Sequence, residues 1–94
     1  MSDPALLQIV PRNRFDRELR RMERRNKDLS KLRAVVAMLA HRQPLLRRHC
    51  DHLLTGNWKG CRECHIEPDW LLIYKIEDNI LKLERTGSHS DLFG

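Results

Sequence analysis

The chain reads as an α+β protein, in which two amphipathic helices are followed by a run of strands that form a mainly antiparallel sheet packed on the helix pair. Three observations predict this. Apolar residues recur at helical spacing between Phe15 and Ala40. Beyond Gly56 the chain shows short strand-like stretches between turn-forming residues. With 94 residues, 40% apolar and 33% charged, it has material for one modest core, so residues 1–94 are expected to form one domain.

The elements follow in order. Ala5 to Val10 is a short apolar run with β-branched residues near its end, and Pro11 stops it, which predicts a first strand. Asn13 is placed to cap a helix, with Asp16 three residues on. Phe15, Leu19 and Met22 then fall at i, i+4 and i+7, one apolar stripe among arginines. Asn26-Lys27-Asp28 turns the chain, and Asp28 or Ser30 caps a second helix. Leu29, Leu32, Val35, Val36, Leu39 and Ala40 give that helix a wider buried face, and Pro44 ends it. The short connection makes the two helices an antiparallel hairpin. Trp58 to Ile66 is strand-like, and Glu67-Pro68-Asp69 forms a turn. Trp70 to Ile76 is nearly all apolar, so both its faces are covered, which marks a central strand. Asp78-Asn79 is a two-residue hairpin turn, because both residues tolerate positive φ. Ile80 to Arg85 is the last strand, and Thr86-Gly87 breaks it.

The net charge of +5 is unevenly placed. Pro11 to His49 carries 13 Lys/Arg against 4 Asp/Glu, a local +9, and the remainder carries −4. A stretch this basic suits a polyanion or an acidic protein partner, with a solvated helix face as the alternative. Arg20, Arg21, Arg24 and Arg25 are its densest cluster. No apolar run approaches the ~20 residues of a membrane helix. The opening Met-Ser-Asp-Pro-Ala-Leu-Leu lacks the basic and apolar regions of a signal peptide, so the cytoplasm and reduced cysteines are expected.

Histidine is the candidate chemistry. His41, at the end of the second helix, has a structural reading against the last carbonyls. His52 falls in the loop before the sheet, His65 at the end of one strand and His89 after the last. Asp69, Trp70, Arg85 and Phe93 occupy similar edges, where a rigid scaffold presents reactive groups. Converging imidazoles with one arginine suffice to cleave RNA without a metal. One group takes the 2′-hydroxyl proton, another protonates the leaving 5′-oxygen, and the arginine holds the phosphorane. Arg85 has a plainer reading as a strand residue paired across to Glu63, and Phe93 as a core latch.

Two rival sites are weaker. Cys61-Arg62-Glu63-Cys64-His65 fits C-x-x-C-H, the pattern of c-type haem attachment. Cys61 and Cys64 with His49, Cys50, His52 or His65 offer enough ligands for zinc. Both fail on strand alternation, which turns the two cysteines to opposite faces. No cofactor and no metal is therefore expected.

The run from Asp51 to Gly60, with Arg62 and His65, resembles the corresponding stretch of YafQ-type toxins of the RelE superfamily. The resemblance continues through Glu67 to Lys75 and ends in Glu84-Arg85-Thr86-Gly87-Ser88-His89 and Asp91-Leu92-Phe93-Gly94. It extends less closely back to Ile9 and so covers nearly the whole chain. It implies a small RelE-like α+β microdomain, the toxin of a type II toxin–antitoxin pair, that cleaves messenger RNA in the ribosomal A site. The implied partners are an acidic antitoxin, the 70S ribosome with 16S rRNA near the A site, and mRNA, with no membrane. Carried over by position, the active-site set is His52, His65, Asp69, Trp70, Arg85, His89 and Phe93. His52 and His65 are expected in acid–base roles, and His89 shares that work or binds the scissile phosphate. Arg85 stabilises the phosphorane, Asp69 orients a histidine, Phe93 stacks on a base and Trp70 shapes the pocket. The chain departs from the family at Leu53, where members have proline, and in the basic loop Leu46-Arg47-Arg48-His49-Cys50, which bears on loop geometry and codon preference. The competing classes are a non-enzymatic inhibitor of DNA gyrase, like ParE-type toxins, and a simple basic RNA-binding module. Neither needs the histidines.

Overall fold

The computed structural model describes residues 6–94. The elements are β1 (Gln8–Pro11), α1 (Asn13–Arg24), α2 (Leu29–Ala40), β2 (His52–Leu53), β3 (Arg62–Glu67), β4 (Trp70–Glu77), β5 (Ile80–Gly87) and α3 (His89–Phe93). The sheet order is β1-β5-β4-β3-β2. Only β1 and β5 run parallel, and the α1–α2 hairpin is the first part of the connection between them.

The mixed α+β class expected from the sequence is the observed one, with β4 in the middle of the sheet. Its apolar run divides between two clusters. Leu72 and Tyr74 meet Phe15, Met22, Leu32 and Val35 under the helices. Leu71 and Ile73 point the other way, toward Cys61 and Leu92. Each large side chain buried this way contributes roughly 1.5–3 kcal/mol. Asp78 and Asn79 turn the β4–β5 hairpin at φ 53° and 64°, the left-handed pair that a two-residue hairpin requires.

Several local expectations are corrected. The first strand starts at Gln8 and includes Pro11; Ala5 lies outside the described residues. Pro11 is tolerated because β1 is an edge strand, paired on one side only. Asn13 is the first residue of α1, whose N-cap is Arg12 and makes no side-chain cap. The second helix is capped as expected, the Asp28 carboxylate accepting from the Ser30 N–H at 3.0 Å, but it ends at Ala40, well before Pro44. Trp58 to Ile66 is not one strand. Gly56 and Gly60 at φ 65° and 92° fold the chain into a 3₁₀ turn over Gly56–Trp58, and the strand starts at Arg62. At the other end β5 continues through Thr86 and Gly87. The Thr86 hydroxyl donates to the Leu71 carbonyl and accepts from the Trp70 indole.

Cys61 and Cys64 do face opposite sides of the sheet and belong to different clusters. Burial pushes the Cys64 thiol up to about 12 and raises that of Cys61. Cys50 is exposed. In native protein one thiol is therefore expected to react quickly with Ellman's reagent, and all three only after unfolding. Cys64→Ser is expected to lower stability by about 1–3 kcal/mol in a denaturant titration, since it buries a hydroxyl among apolar side chains. Rapid modification of Cys64 in folded protein would overturn this packing.

No helix among the described residues is long and apolar enough to cross a membrane.

Candidate active site

The sheet face away from the α1–α2 hairpin carries the titratable groups. In β3, Cys64 and Ile66 point to the helices, so Glu63 and His65 share the other face. The two-residue strand β2 pairs His52 directly with Glu63, which places His52 in the sheet edge rather than in a loop. Glu63 thus stands between two imidazoles. Its Oε2 lies 3.5 Å from His52 Nε2 and its Oε1 3.7 Å from His65 Nε2. The Nδ1 of His52 meets the Cys50 carbonyl at 2.6 Å. Donation there leaves Nε2 as the nitrogen turned to Glu63. Cys50 adopts a left-handed φ of 48°, and this aims that carbonyl.

His89 reaches the same place from α3. In register, His65 stands opposite Leu71, and Leu71 opposite Gly87. Gly87 lets the chain fold back tightly: a Cβ on it would sit 2.9 Å from the Asp91 Cβ. A capping box between Ser88 and Asp91 starts α3, and Asp91 also takes two bonds from Arg25 on α1, at 2.7 and 3.1 Å. The Arg25 guanidinium and the Ser88 donors hold the Asp91 carboxyl far below the usual carboxylate range. The His89 ring then lies 5.7 Å from that of His65, edge to face at 69°. Asp69, in the β3–β4 turn, accepts from His89 twice, from its backbone N–H at 2.9 Å and from Nδ1 at 2.6 Å. These two bonds lower the Asp69 pKa, so the carboxylate that orients His89 stays ionised through neutral pH.

The result is a continuous chain of groups, His52–Glu63–His65–His89–Asp69. Four of these were expected from the sequence. Glu63 was weighed only as a partner for Arg85, although its i, i+2 spacing from His65 in a strand already put both on one face. Arg85 instead pairs with Glu18 of α1, its Nε 3.0 Å from both carboxylate oxygens and its Nη2 bonded to Oε2. Its guanidinium also lies over the Trp58 ring, 5.6 Å from the centroid. Nη1 makes no hydrogen bond to the described residues, so Arg85 keeps one edge for a phosphate. Trp70 does not reach the site. Its ring is 0% exposed in the core under the helices, and its indole N–H is spent on Thr86 at 2.9 Å. The reading of Trp70 as a substrate-binding residue is therefore corrected to a core role.

Phe93 is 48% exposed, whereas its neighbour Leu92 is 8% exposed and belongs to the apolar cluster. Leu92 is thus the latch of α3, and Phe93 lies one turn beyond His89 on the same side of that helix. Phe93→Ala is expected to change stability by no more than about 0.5 kcal/mol in thermal unfolding. Leu92→Ala should cost ~2–5 kcal/mol. If Phe93 stacks on a base, a contact worth ~1–3 kcal/mol, its loss slows cleavage by about one to two powers of ten. Cleavage at the original rate would remove Phe93 from substrate binding.

Glu63, His65 and His89 also place one ligand atom each within 4.8 Å of one another. One carboxylate and two imidazoles suit a divalent ion such as zinc or copper.

Clustered histidines beside a carboxylate and a basic helix on a small α+β scaffold suit a protein that acts on RNA. The comparisons with known proteins give the family. The family model for the bacterial toxin of type II toxin–antitoxin systems, YafQ, matches residues 7–94. The chain is 43% identical to the mRNA interferase toxin YafQ of Escherichia coli K12 over 81 residues, which is 85% of this chain and 88% of that protein. The crystal structure of the E. coli DinJ–YafQ toxin–antitoxin complex superposes with a TM-score of 0.87 at 40% identity, over 95% of this chain and 99% of that one. A metal-bound toxin from Helicobacter pylori superposes with a TM-score of 0.88 at 44% identity, over 94% of this chain and 100% of that one. The chain belongs to the YafQ family of type II toxins.

Proposed function

We propose that this protein is an mRNA interferase, an endoribonuclease that cuts messages bound in the ribosomal A site. The observation that supports this most directly is the run of imidazoles and carboxylates from His52 to Asp69 through Glu63. Among His52, His65 and His89, one imidazole takes the proton of the 2′-hydroxyl and another protonates the departing 5′-oxygen. Asp69 holds His89 by Nδ1, which leaves Nε2 to act. Glu63 positions His52 and His65 across its two oxygens. The free Nη1 of Arg85 meets the phosphorane. The products are a 2′,3′-cyclic phosphate or 3′-phosphate and a 5′-hydroxyl. Residues 1–94 act as one domain in the cytoplasm, and an acidic antitoxin covers the basic half; the E. coli relative is seen in a toxin–antitoxin complex.

The Glu63–His65–His89 trio fits a metal, and the H. pylori relative is metal-bound. An ion held there would supply Lewis acidity, but it would occupy the lone pairs that proton transfer needs. Acid–base cleavage therefore requires no metal at this trio. The deciding experiment induces the chain in cells and maps message 5′ ends against the reading frame, then repeats cleavage on purified ribosomes in a transition-metal-selective chelator with magnesium retained. In-frame cuts that persist in chelator are expected, with added zinc lowering the rate. Loss of cleavage in chelator, or absence of in-frame cuts, would overturn the reading.

A further inference from the structure

We propose that the groove beside the histidine chain is a nucleotide subsite, in which Arg14 and Arg17 hold phosphate and Trp58 offers a plane to a nucleobase. This deepens the ribonuclease reading and rests on it for the identity of the RNA. The groove has a volume of about 640 Å³, within the ~300–1,000 Å³ of small-ligand sites. Arg12, Arg14, Arg17, Arg85, Trp58 and Glu84 line it, Glu84 being the lone acid. Two of the four guanidiniums are already matched, Arg85 by Glu18 and Arg12, at 3.9 Å, by Glu84. Arg14 and Arg17 have no ion pair among the described residues. Their two positive charges face a cavity, and a polynucleotide backbone brings one negative charge per residue. The first turn of α1 opens here without a side-chain cap and adds to the positive potential.

Trp58 decides between occupants. An acidic peptide would satisfy the arginines but leaves the indole without use, whereas a nucleotide uses both. The Arg85 guanidinium layered on the Trp58 ring stiffens that wall. Placement relative to the histidines also fits. Glu63 pairs with Ile73 and Ile73 with Arg85, one row across three strands. Two strand spacings amount to ~10 Å. A strand of RNA with its scissile phosphate at the histidines would therefore lay a flanking nucleotide in the groove.

The test uses the full chain and a mixed-sequence tetraribonucleotide, 2′-O-methylated so that it cannot be cut. Trp70 is fully buried, so quenching of tryptophan fluorescence reports Trp58. Binding with quenching is expected. R14E/R17E, folded by circular dichroism, should weaken affinity at least about tenfold and reduce the slope of log K against log salt by roughly 0.7 for each lost phosphate contact. W58F should abolish the quenching. In message cleavage, R14E/R17E should raise the half-saturating concentration. Unchanged affinity and slope in R14E/R17E would overturn the subsite, and so would a hexaglutamate peptide that quenches as strongly as the oligonucleotide. A chain that binds the oligonucleotide as described but cuts no message would support the subsite while removing the ribonuclease reading.

Discussion

His65→Ala is expected to lower the rate of message cleavage by about 10²–10⁴-fold, the usual weight of a positioned proton-transfer group. His65 is the centre of the histidine chain. It faces Glu63 on one side and the His89 ring on the other. The side chain is only half-buried, and β3 keeps its ladder bonds without it, so the melting temperature should move little. Its backbone carbonyl still accepts from His49 at 2.7 Å, which holds the segment that leads into β2. Glu63→Gln is the companion variant, since it keeps the shape but removes the charge between His52 and His65. It should slow cleavage and alter the pH profile of the rate, an effect that a merely structural glutamate would not produce. Single-turnover cleavage on purified ribosomes, with thermal unfolding alongside, measures both. A folded His65→Ala chain that cuts at the original rate would sink the acid–base proposal.

Glu18→Ala is expected to cost ~3–5 kcal/mol, because it strands the Arg85 guanidinium in a site only 7% exposed. For a domain of this size that corresponds to a fall in melting temperature of roughly 12–40 °C. It is a large share of the ~5–15 kcal/mol that holds such a protein folded. Replacing both partners, Glu18→Leu with Arg85→Met, should recover most of the loss, since an apolar pair of similar volume replaces a buried ion pair at little cost. The double variant also separates two roles of Arg85. If Nη1 stabilises the phosphorane, the recovered protein cleaves ~10²–10³-fold more slowly. A stable double variant with full activity would leave Arg85 a structural residue. A Glu18→Ala chain with unchanged stability would mean that the pair is solvated and weak.

The helices and the central strand were legible because periodicity and apolar runs are local signals. Phe15 and Met22 mark one stripe, and the run from Trp70 to Tyr74 could only be covered on both faces. The stretch before β3 was misread, since Trp58 and Cys61 resemble strand residues while Gly56 and Gly60 set the backbone by positive φ. His52, His65, Asp69 and His89 are legible as candidates from their places at strand ends and loops, and family resemblance supplies their grouping, since their spacing in sequence carries no geometry. Glu63 was readable from strand alternation alone. The Arg85–Glu18 pair joins residues 67 apart, and no local pattern announces it. The burial of Trp70 follows from that apolar run, while its bond to Thr86, 16 residues on, has no local signal. The basic cluster on α1 is likewise divided by tertiary contacts. Arg25 and Arg21 meet Asp91 and help to hold α3, while Arg20 and Arg24 have no ion pair among the described residues.

The parallel pairing of β1 with β5 sets an order on the birth of the protein. Gln8 lies beside Ile80 and Pro11 beside Leu83, so the first strand to be translated waits for the last before it finds its neighbour. His89 follows later still, and with it the closing of the chain from His52 to Asp69. A nascent chain of this kind stays incomplete while most of it is being made. Pairings this distant in sequence also form slowly, so the last member of the site is placed late.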